Sequence, residues 1–550
     1  MKRFFLILLV LAQCIGLCAC SATDDPQEGS IQDTQAVYKG WESRELNVID
    51  DKYRTYYEIF VYAFYDSDGD GTGDLNGVTE KLDYIAGLGF NGIWLMPIMP
   101  SPTYHKYDTT DYMAIDPEYG TLEDFQALLA ACHDRGIRVI IDLAMNHSSS
   151  SHPWFTEAVS YIQSLPDGAE PSAEECKYFD YYHFNQKGGS GWSLVPGTTG
   201  WFYECQFWSG MPDLNLESEA VRAEFEAIAD FWLDMGVDGF RLDAVKEFQT
   251  GSTGTNVEIL TWFNSYVKAK DENNYLVCEC WETKETYAQY YASGVDSMFD
   301  FSFGQSSGVI ATILTGAGSA SSYGRMMVEN QALYDSYSDS AINAPFYTNH
   351  DMGRTCGYYP GDEGEAKTKM GNAMNILMTG NVFVYYGEEL GMKGSGKDEN
   401  KRAPMYWSKD ADAEGMCDGP SGMDTVKHKF DSLEEQIQDP DSVYSYIKKA
   451  ILIRNQNPEI ARGNVTFYEE YSSDSVCVIT KSYGGRELLL VFNTSNAAVD
   501  VDLEGLTVQG SQVSQLQTFG ELLTGEEATA VSGNTITMPA FSILVLGTEG

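Results

Sequence analysis

An α/β protein is predicted: a (β/α)8 TIM barrel with an insertion domain after its third strand and a C-terminal antiparallel β-sandwich. Three observations predict it. Between residues 56 and 390, eight short apolar runs alternate with helical segments, as in parallel strands joined by crossover helices. Residues 148–215 interrupt that rhythm with an aperiodic stretch rich in Gly, Trp, Tyr and Phe, longer than a plain connection. From residue 459 the texture changes to alternating runs such as VTFYEEY, VCVITKSY and ELLLVFNT, separated by Gly, Asn and Asp, the pattern of a small sandwich.

The N-terminus reads as a targeting segment. Lys2 and Arg3 precede the apolar run Phe4–Ala12, and Leu17-Cys18-Ala19-Cys20 follows. This is a secretory signal over residues 1–19, ending in a sequence that resembles a bacterial lipobox and would place a lipid on Cys20. Residues 20–50, polar and acidic, read as a flexible tether. The expected location is extracytoplasmic, held to a bacterial membrane only by that lipid.

The barrel is expected over 51–147 and 216–458. Its strand candidates are YYEIFVYAF (56–64), FNGIWLMPI (90–98), GIRVIIDLAM (136–145), GVDGFRLDAV (236–245) and NYLVCECW (274–281). VDSMFDFSF (295–303), APFYTNHD (344–351) and NVFVYYGEEL (381–390) complete the eight. Helical periodicity is clearest at 122–136 and 219–236.

Composition limits the partners. The 550 residues exceed what one hydrophobic core organises. Thirty-five Lys and Arg against 81 Asp and Glu give a net charge of −46, which argues against nucleic acid or an anionic membrane surface as a partner. Of 11 cysteines, three lie in the N-terminal segment, and the other eight are scattered without metal-ligand spacing. Cys278 and Cys280 are two apart in one strand candidate, and no disulfide framework is evident.

Four strand candidates end in polar clusters: DLAMNH (142–147), FRLDAVK (240–246), CECW (278–281) and YTNHD (347–351). A barrel of parallel strands gathers its C-terminal strand ends at one mouth. Asp142, Asp243, Glu279 and Asp351 would therefore meet there among Arg241, His147 and His350. Crowded carboxylates have their proton affinities driven apart, as needed for an ionised nucleophile beside a protonated acid.

These four motifs, in order and on the matching strands, resemble those of the α-amylase family, glycoside hydrolase family 13, and the resemblance extends from about residue 50 to the end. It implies a catalytic triad of Asp243 (nucleophile), Glu279 (general acid/base) and Asp351 (transition-state stabiliser). It implies sugar contacts from Tyr107, as a stacking ring, and from His105, His147, His350, Arg241 and Lys246. Asp108 and Arg402 are expected to pair at the edge of the reacting-sugar subsite. Asp142 is expected to be structural, on Arg241, and Asn146 is a calcium ligand in some branches. The insertion's aromatics Trp192, Trp201, Tyr203, Phe207 and Trp208 are expected mainly in its core.

The segment DSDGDGTGDLNG (66–77) places carboxylates at alternate positions around a turn and resembles an EF-hand loop, except that Gly77 replaces the final Glu. A short calcium loop here is familiar in one branch of the family. The expected ligands of a structural Ca2+ are Asp66, Asp68, Asp70, the carbonyl of Thr72, and Asp74. The segment MPDLN (211–215) resembles a form between the oligo-1,6-glucosidase and neopullulanase branches. The expected activity is endo-acting hydrolysis of α-1,4-glucosidic bonds in starch or maltodextrin by a monomer. Oligo-1,6-glucosidase, neopullulanase and transglycosylase are alternatives inside the family, and a non-catalytic glucan-binding lipoprotein is the alternative outside it.

Overall fold

The computed structural model describes residues 40–166 and 168–548. The signal segment, Cys20 and the tether as far as residue 39 lie outside the described residues. Eight parallel strands form one sheet: β1 (Thr55–Ile59), β2 (Gly92–Leu95), β3 (Arg138–Leu143), β4 (Gly239–Leu242), β5 (Tyr275–Cys278), β6 (Ser297–Asp300), β7 (Ala344–Pro345) and β8 (Val382–Tyr385). The order is β7-β6-β5-β4-β3-β2-β1-β8, and a parallel bridge between Phe346 and Phe383 closes it. The barrel is therefore complete, and every residue of β2, β4, β5, β6 and β8 is buried. That double-sided burial explains why the strands read as continuous apolar runs rather than alternating ones.

Local chemistry fixes the connecting helices. The helix Leu122–Asp134 starts at a capping box in which Thr121 and Asp124 satisfy each other's backbone N–H groups. The helix Glu219–Met235 ends at Gly236, whose φ of 110° supplies the left-handed cap, and β4 follows within three residues. Gly239 opens β4 with φ 148°, and a Cβ there would lie 1.9 Å from the Tyr275 carbonyl oxygen. Only glycine lets β4 and β5 approach so closely.

The structure corrects several expectations. Residues 40–50, assigned to the tether, pack on the body. Gln456 donates to the carbonyls of Trp41, Glu42 and Arg44, and the Arg44 guanidinium lies 3.5 Å from the Phe519 ring centre. The hydrophilic composition hid how many of these groups have partners. The seventh strand is only two residues plus the bridge, because 347–351 turn away to present side chains at the mouth. Within 148–215 there is more order than the composition suggests: a helix Pro153–Ser164 and an antiparallel sheet of Phe184–Asn185, Phe202–Glu204 and Trp192–Leu194.

Beyond residue 463, a five-stranded and a three-stranded antiparallel sheet enclose a second apolar core that includes Val478, Leu489, Val491, Ile536 and Leu544. The eight cysteines among the described residues are free. No described helix is long and apolar enough to cross a membrane.

Candidate active site

The site is built around Arg241, which is fully buried on β4. Its Nη1 donates to Asp243 Oδ1 at 2.6 Å and to both oxygens of Asp142 at 2.9 and 3.0 Å. Residues 241 and 243 share one face of an extended chain, which lets one guanidinium serve both the strand and its tip. A buried cation is costly unless paired; here two carboxylates pair it. Asp142 is accordingly a structural partner, as expected. Burial drives its pKa up to about 6 despite the attraction of Arg241.

Immediately after Asp243, Ala244 adopts a left-handed conformation with φ 48° and ψ 42°. This sparsely populated backbone aims the Ala244 N–H at Glu279 Oε2, 2.9 Å away. The tip of β4 thus holds the tip of β5. Burial raises the Glu279 pKa to about 7; Arg241 opposes the shift, and Asp243 and Asp351 add to it.

Asp351 is treated in the opposite way. Burial would raise its pKa, but His350, Arg402 and Arg241 hold it well below the usual carboxylate range. Its Oδ2 lies 3.1 Å from His350 Nε2, and its Oδ1 accepts from Arg402 Nη2 at 3.0 Å. Its side chain is 34% exposed and opens to the cleft. One carboxyl is thus drawn toward its protonated form and the other is kept ionised.

Tyr107 and the histidines line the same mouth. The Tyr107 hydroxyl donates to Asp142 Oδ2 at 2.9 Å and lies 2.8 Å from His350 Nε2. Its ring is stacked on the His350 imidazole, and 7% of the residue remains exposed. His147 is fully buried, with Nε2 unpartnered, and burial lowers its pKa, so it is neutral. His105, also lowered by burial, faces Thr103 Oγ1 through Nδ1 at 3.3 Å. Lys246 sits at the rim on Glu282, 3.0 Å away.

The expected Asp108–Arg402 pair does not form. The Arg402 guanidinium is taken by Asp351 and Asp398, with Tyr104 at 3.3 Å. Asp108 instead accepts from Ser101 Oγ at 2.7 Å and from Thr103 Oγ1. Asp398, one helical turn before Arg402, wins by proximity. Two insertion aromatics are not core: Phe207 and Trp208 are 51% and 50% exposed, and Phe207 sets its ring edge-on to His147. Trp281, two residues after Glu279, is also exposed and stacks on Phe301.

Sequence reasoning missed Glu58. It lies on β1 with no exposed surface, and its Oε1 is 2.6 Å from His350 Nδ1. The available signal was a lone charge inside the apolar run YYEIF.

In the loop after β1, ligand atoms of Asp66, Asp68 and Asp74 lie within 4.8 Å of one another. Backbone N–H groups hold two of them: Gly69 and Gly71 donate to Asp66 at 2.7 Å, and Gly77 donates to Asp74 at 2.7 Å. Asp70 is outside this group and instead accepts from the Thr72 N–H at 2.8 Å. Loss of water contact, then the charges of Asp70, Asp74 and Asp66, raises the Asp68 pKa. Among the described residues, no Lys or Arg forms an ion pair with these carboxylates.

A closed eight-stranded barrel, with three differently held carboxylates at its C-terminal mouth, defines a glycoside hydrolase site. The chain belongs to the α-amylase family: the alpha amylase catalytic domain matches residues 58–463. Alpha-amylase 3 of Dictyoglomus thermophilum is 36% identical over 416 residues, covering 74% of this chain and 78% of that protein. Eubacterium rectale Amy13B has a solved structure that superposes with a TM-score of 0.90 at 51% identity, covering 93% of this chain and all of the other. An oligo-1,6-glucosidase of Parageobacillus thermoglucosidasius is 28% identical, covering 80% of this chain and 89% of that protein. The protein is thus an α-amylase-type glycoside hydrolase.

Proposed function

We propose that this enzyme cleaves internal α-1,4-glucosidic bonds of starch and maltodextrins with retention of anomeric configuration. The observation that carries the proposal is the opposed treatment of two neighbouring carboxyls, Glu279 raised to about 7 and Asp351 held ionised. Asp243, oriented by Arg241, attacks the anomeric carbon while Glu279 gives its proton to the departing glycosidic oxygen. Asp351 stabilises the positive charge that develops on the sugar. Glu279, now a carboxylate, takes a proton from water, whose oxygen attacks the anomeric carbon and releases Asp243.

Glu279→Gln tests this on soluble starch: reducing ends should form at least about 10²-fold more slowly, and an undiminished rate refutes the assignment. Because the acid must enter protonated, wild-type turnover of starch should fall as pH rises through about 7. Products from starch, pullulan and panose distinguish endo-α-1,4 cleavage from oligo-1,6-glucosidase, neopullulanase or transglycosylase action. A glucan-binding protein without activity would release nothing.

The carboxylate triad of Asp66, Asp68 and Asp74 suits a hard cation that takes oxygen ligands, and we assign it a structural Ca2+. Bound there, the ion would neutralise mutual repulsion in the loop, and it takes no part in the reaction. The lipobox supports lipidation at Cys20 and an extracytoplasmic, membrane-tethered enzyme. Cys20→Ser should release the enzyme from the membrane fraction.

A further inference from the structure

His350 stands between two carboxylates. Its Nδ1 is 2.6 Å from Glu58 Oε1, and its Nε2 is 3.1 Å from Asp351 Oδ2 and 2.8 Å from the Tyr107 oxygen. The Tyr107 hydrogen is directed to Asp142 Oδ2, so toward His350 the phenol oxygen is an acceptor. Both ring nitrogens therefore face acceptors, which suits a ring with N–H at both positions.

Glu58 is buried with its second oxygen unpartnered, a placement that is costly for a carboxylate without a cation in contact. Among the described residues, Glu58 forms no ion pair with Lys or Arg. The charged and titratable groups around His350 are Glu58 on β1, Tyr107 after β2, Asp142 on β3, Arg241 on β4 and its own neighbour Asp351. The edge of Trp94, on β2, packs against the ring.

We infer that Glu58 is a positioning residue for the hydrolytic reaction: by accepting the Nδ1–H it keeps His350 an imidazolium, whose Nε2–H holds Asp351 ionised and aimed into the cleft. The inference rests on the role proposed above for Asp351. The His350 pKa agrees with it. Burial lowers it, but Asp351 and Glu58 together raise it to about 9.

The test needs a substrate whose cleavage does not wait on the Glu279 proton, because that group titrates first. A maltotrioside of a strongly acidic phenol serves, since its leaving group departs as an anion. On it, kcat/KM of the wild type should hold up to the titration of His350, near 9. In Glu58→Gln the alkaline limb should move down by about one pH unit or more, and at neutral pH kcat should fall about tenfold with KM changed less than twofold. Glu58→Asp, which keeps the charge, should retain more of the alkaline activity than Glu58→Gln. In folded Glu58→Gln, the ring-nitrogen NMR signals of His350 should report a neutral imidazole at a pH where the wild type is charged.

An unchanged limb in Glu58→Gln, or an unchanged His350 protonation state, overturns the inference. If Glu58→Gln fails to fold, the wild-type and Glu58→Asp spectra decide: a neutral His350 at pH 7 in the wild type is equally fatal. A wild-type enzyme inert on both starch and the maltotrioside would instead refute the proposed function.

Discussion

At the residue scale, Arg241 carries more of the site than any carboxylate. One nitrogen bonds both Asp142 and Asp243, so removing it does two separable things. Asp142 is left as a buried carboxylate with the Tyr107 hydroxyl but no cation, which costs about 3–5 kcal/mol, and Asp243 loses its orientation. Arg241→Met should therefore lower both stability and kcat. Adding Asp142→Asn should recover stability, measured by urea unfolding, without recovering kcat. If the double variant regained both, Arg241 would act on the reaction only through the fold. Arg241, Asp243, Glu279 and Asp351 were legible in the sequence because polar side chains at the ends of apolar runs need an explanation. Glu58 was not singled out, because its partner lies 292 positions away and only barrel closure brings them together.

At the scale of elements, the loop after β1 brings three carboxylates together, with ligand atoms within 4.8 Å of one another. Asp66 and Asp74 are held by backbone N–H groups from the loop itself, so the loop can form before it binds an ion, but its carboxylates repel one another. Chelation with EDTA should lower the melting temperature by several degrees, and Ca2+ should restore it. In Asp68→Asn the EDTA effect should shrink or vanish, because one of the three converging ligands is weakened. An identical wild-type melt with and without EDTA would count against the ion. The alternating Asp pattern exposed this loop from the sequence. Which of its carboxylates converge most tightly depended on turn geometry: Asp66, Asp68 and Asp74 do, and Asp70 lies outside that group.

At the scale of the molecule, the sandwich is tied to the barrel by a buried cation as well as by apolar area. Lys481, fully buried, donates from Nζ to the carbonyls of Leu377 at 2.7 Å and Ile460 at 2.9 Å. Within the barrel, Arg454 donates to the carbonyls of Ile376, Met378 and Gly380, where a barrel helix ends and leaves carbonyls without helical partners. Burial pushes both cations' pKa values down, that of Arg454 to about 9. Lys481→Met fits the space but strands two carbonyls, at about 1–3 kcal/mol each. Its melting transition should fall while kcat on starch stays close to wild type. A large loss of kcat would mean that the sandwich does more than support the barrel.

The sequence by itself determined the repeating strand–helix order, the change of texture after residue 458 and the carboxylates at four strand ends. Each is set locally, by burial on both faces of a strand, by turn residues, or by the cost of a charge next to an apolar run. Apart from the Asp142–Arg241 pair, only the tertiary structure decided which charges meet. Arg402 went to Asp351 and Asp398 rather than to Asp108, residues 40–50 docked on the body, and Glu58 met His350 across the barrel interior. Such pairings depend on distances between segments far apart in the chain. Periodicity and composition, which report what each residue buries, do not record what it faces.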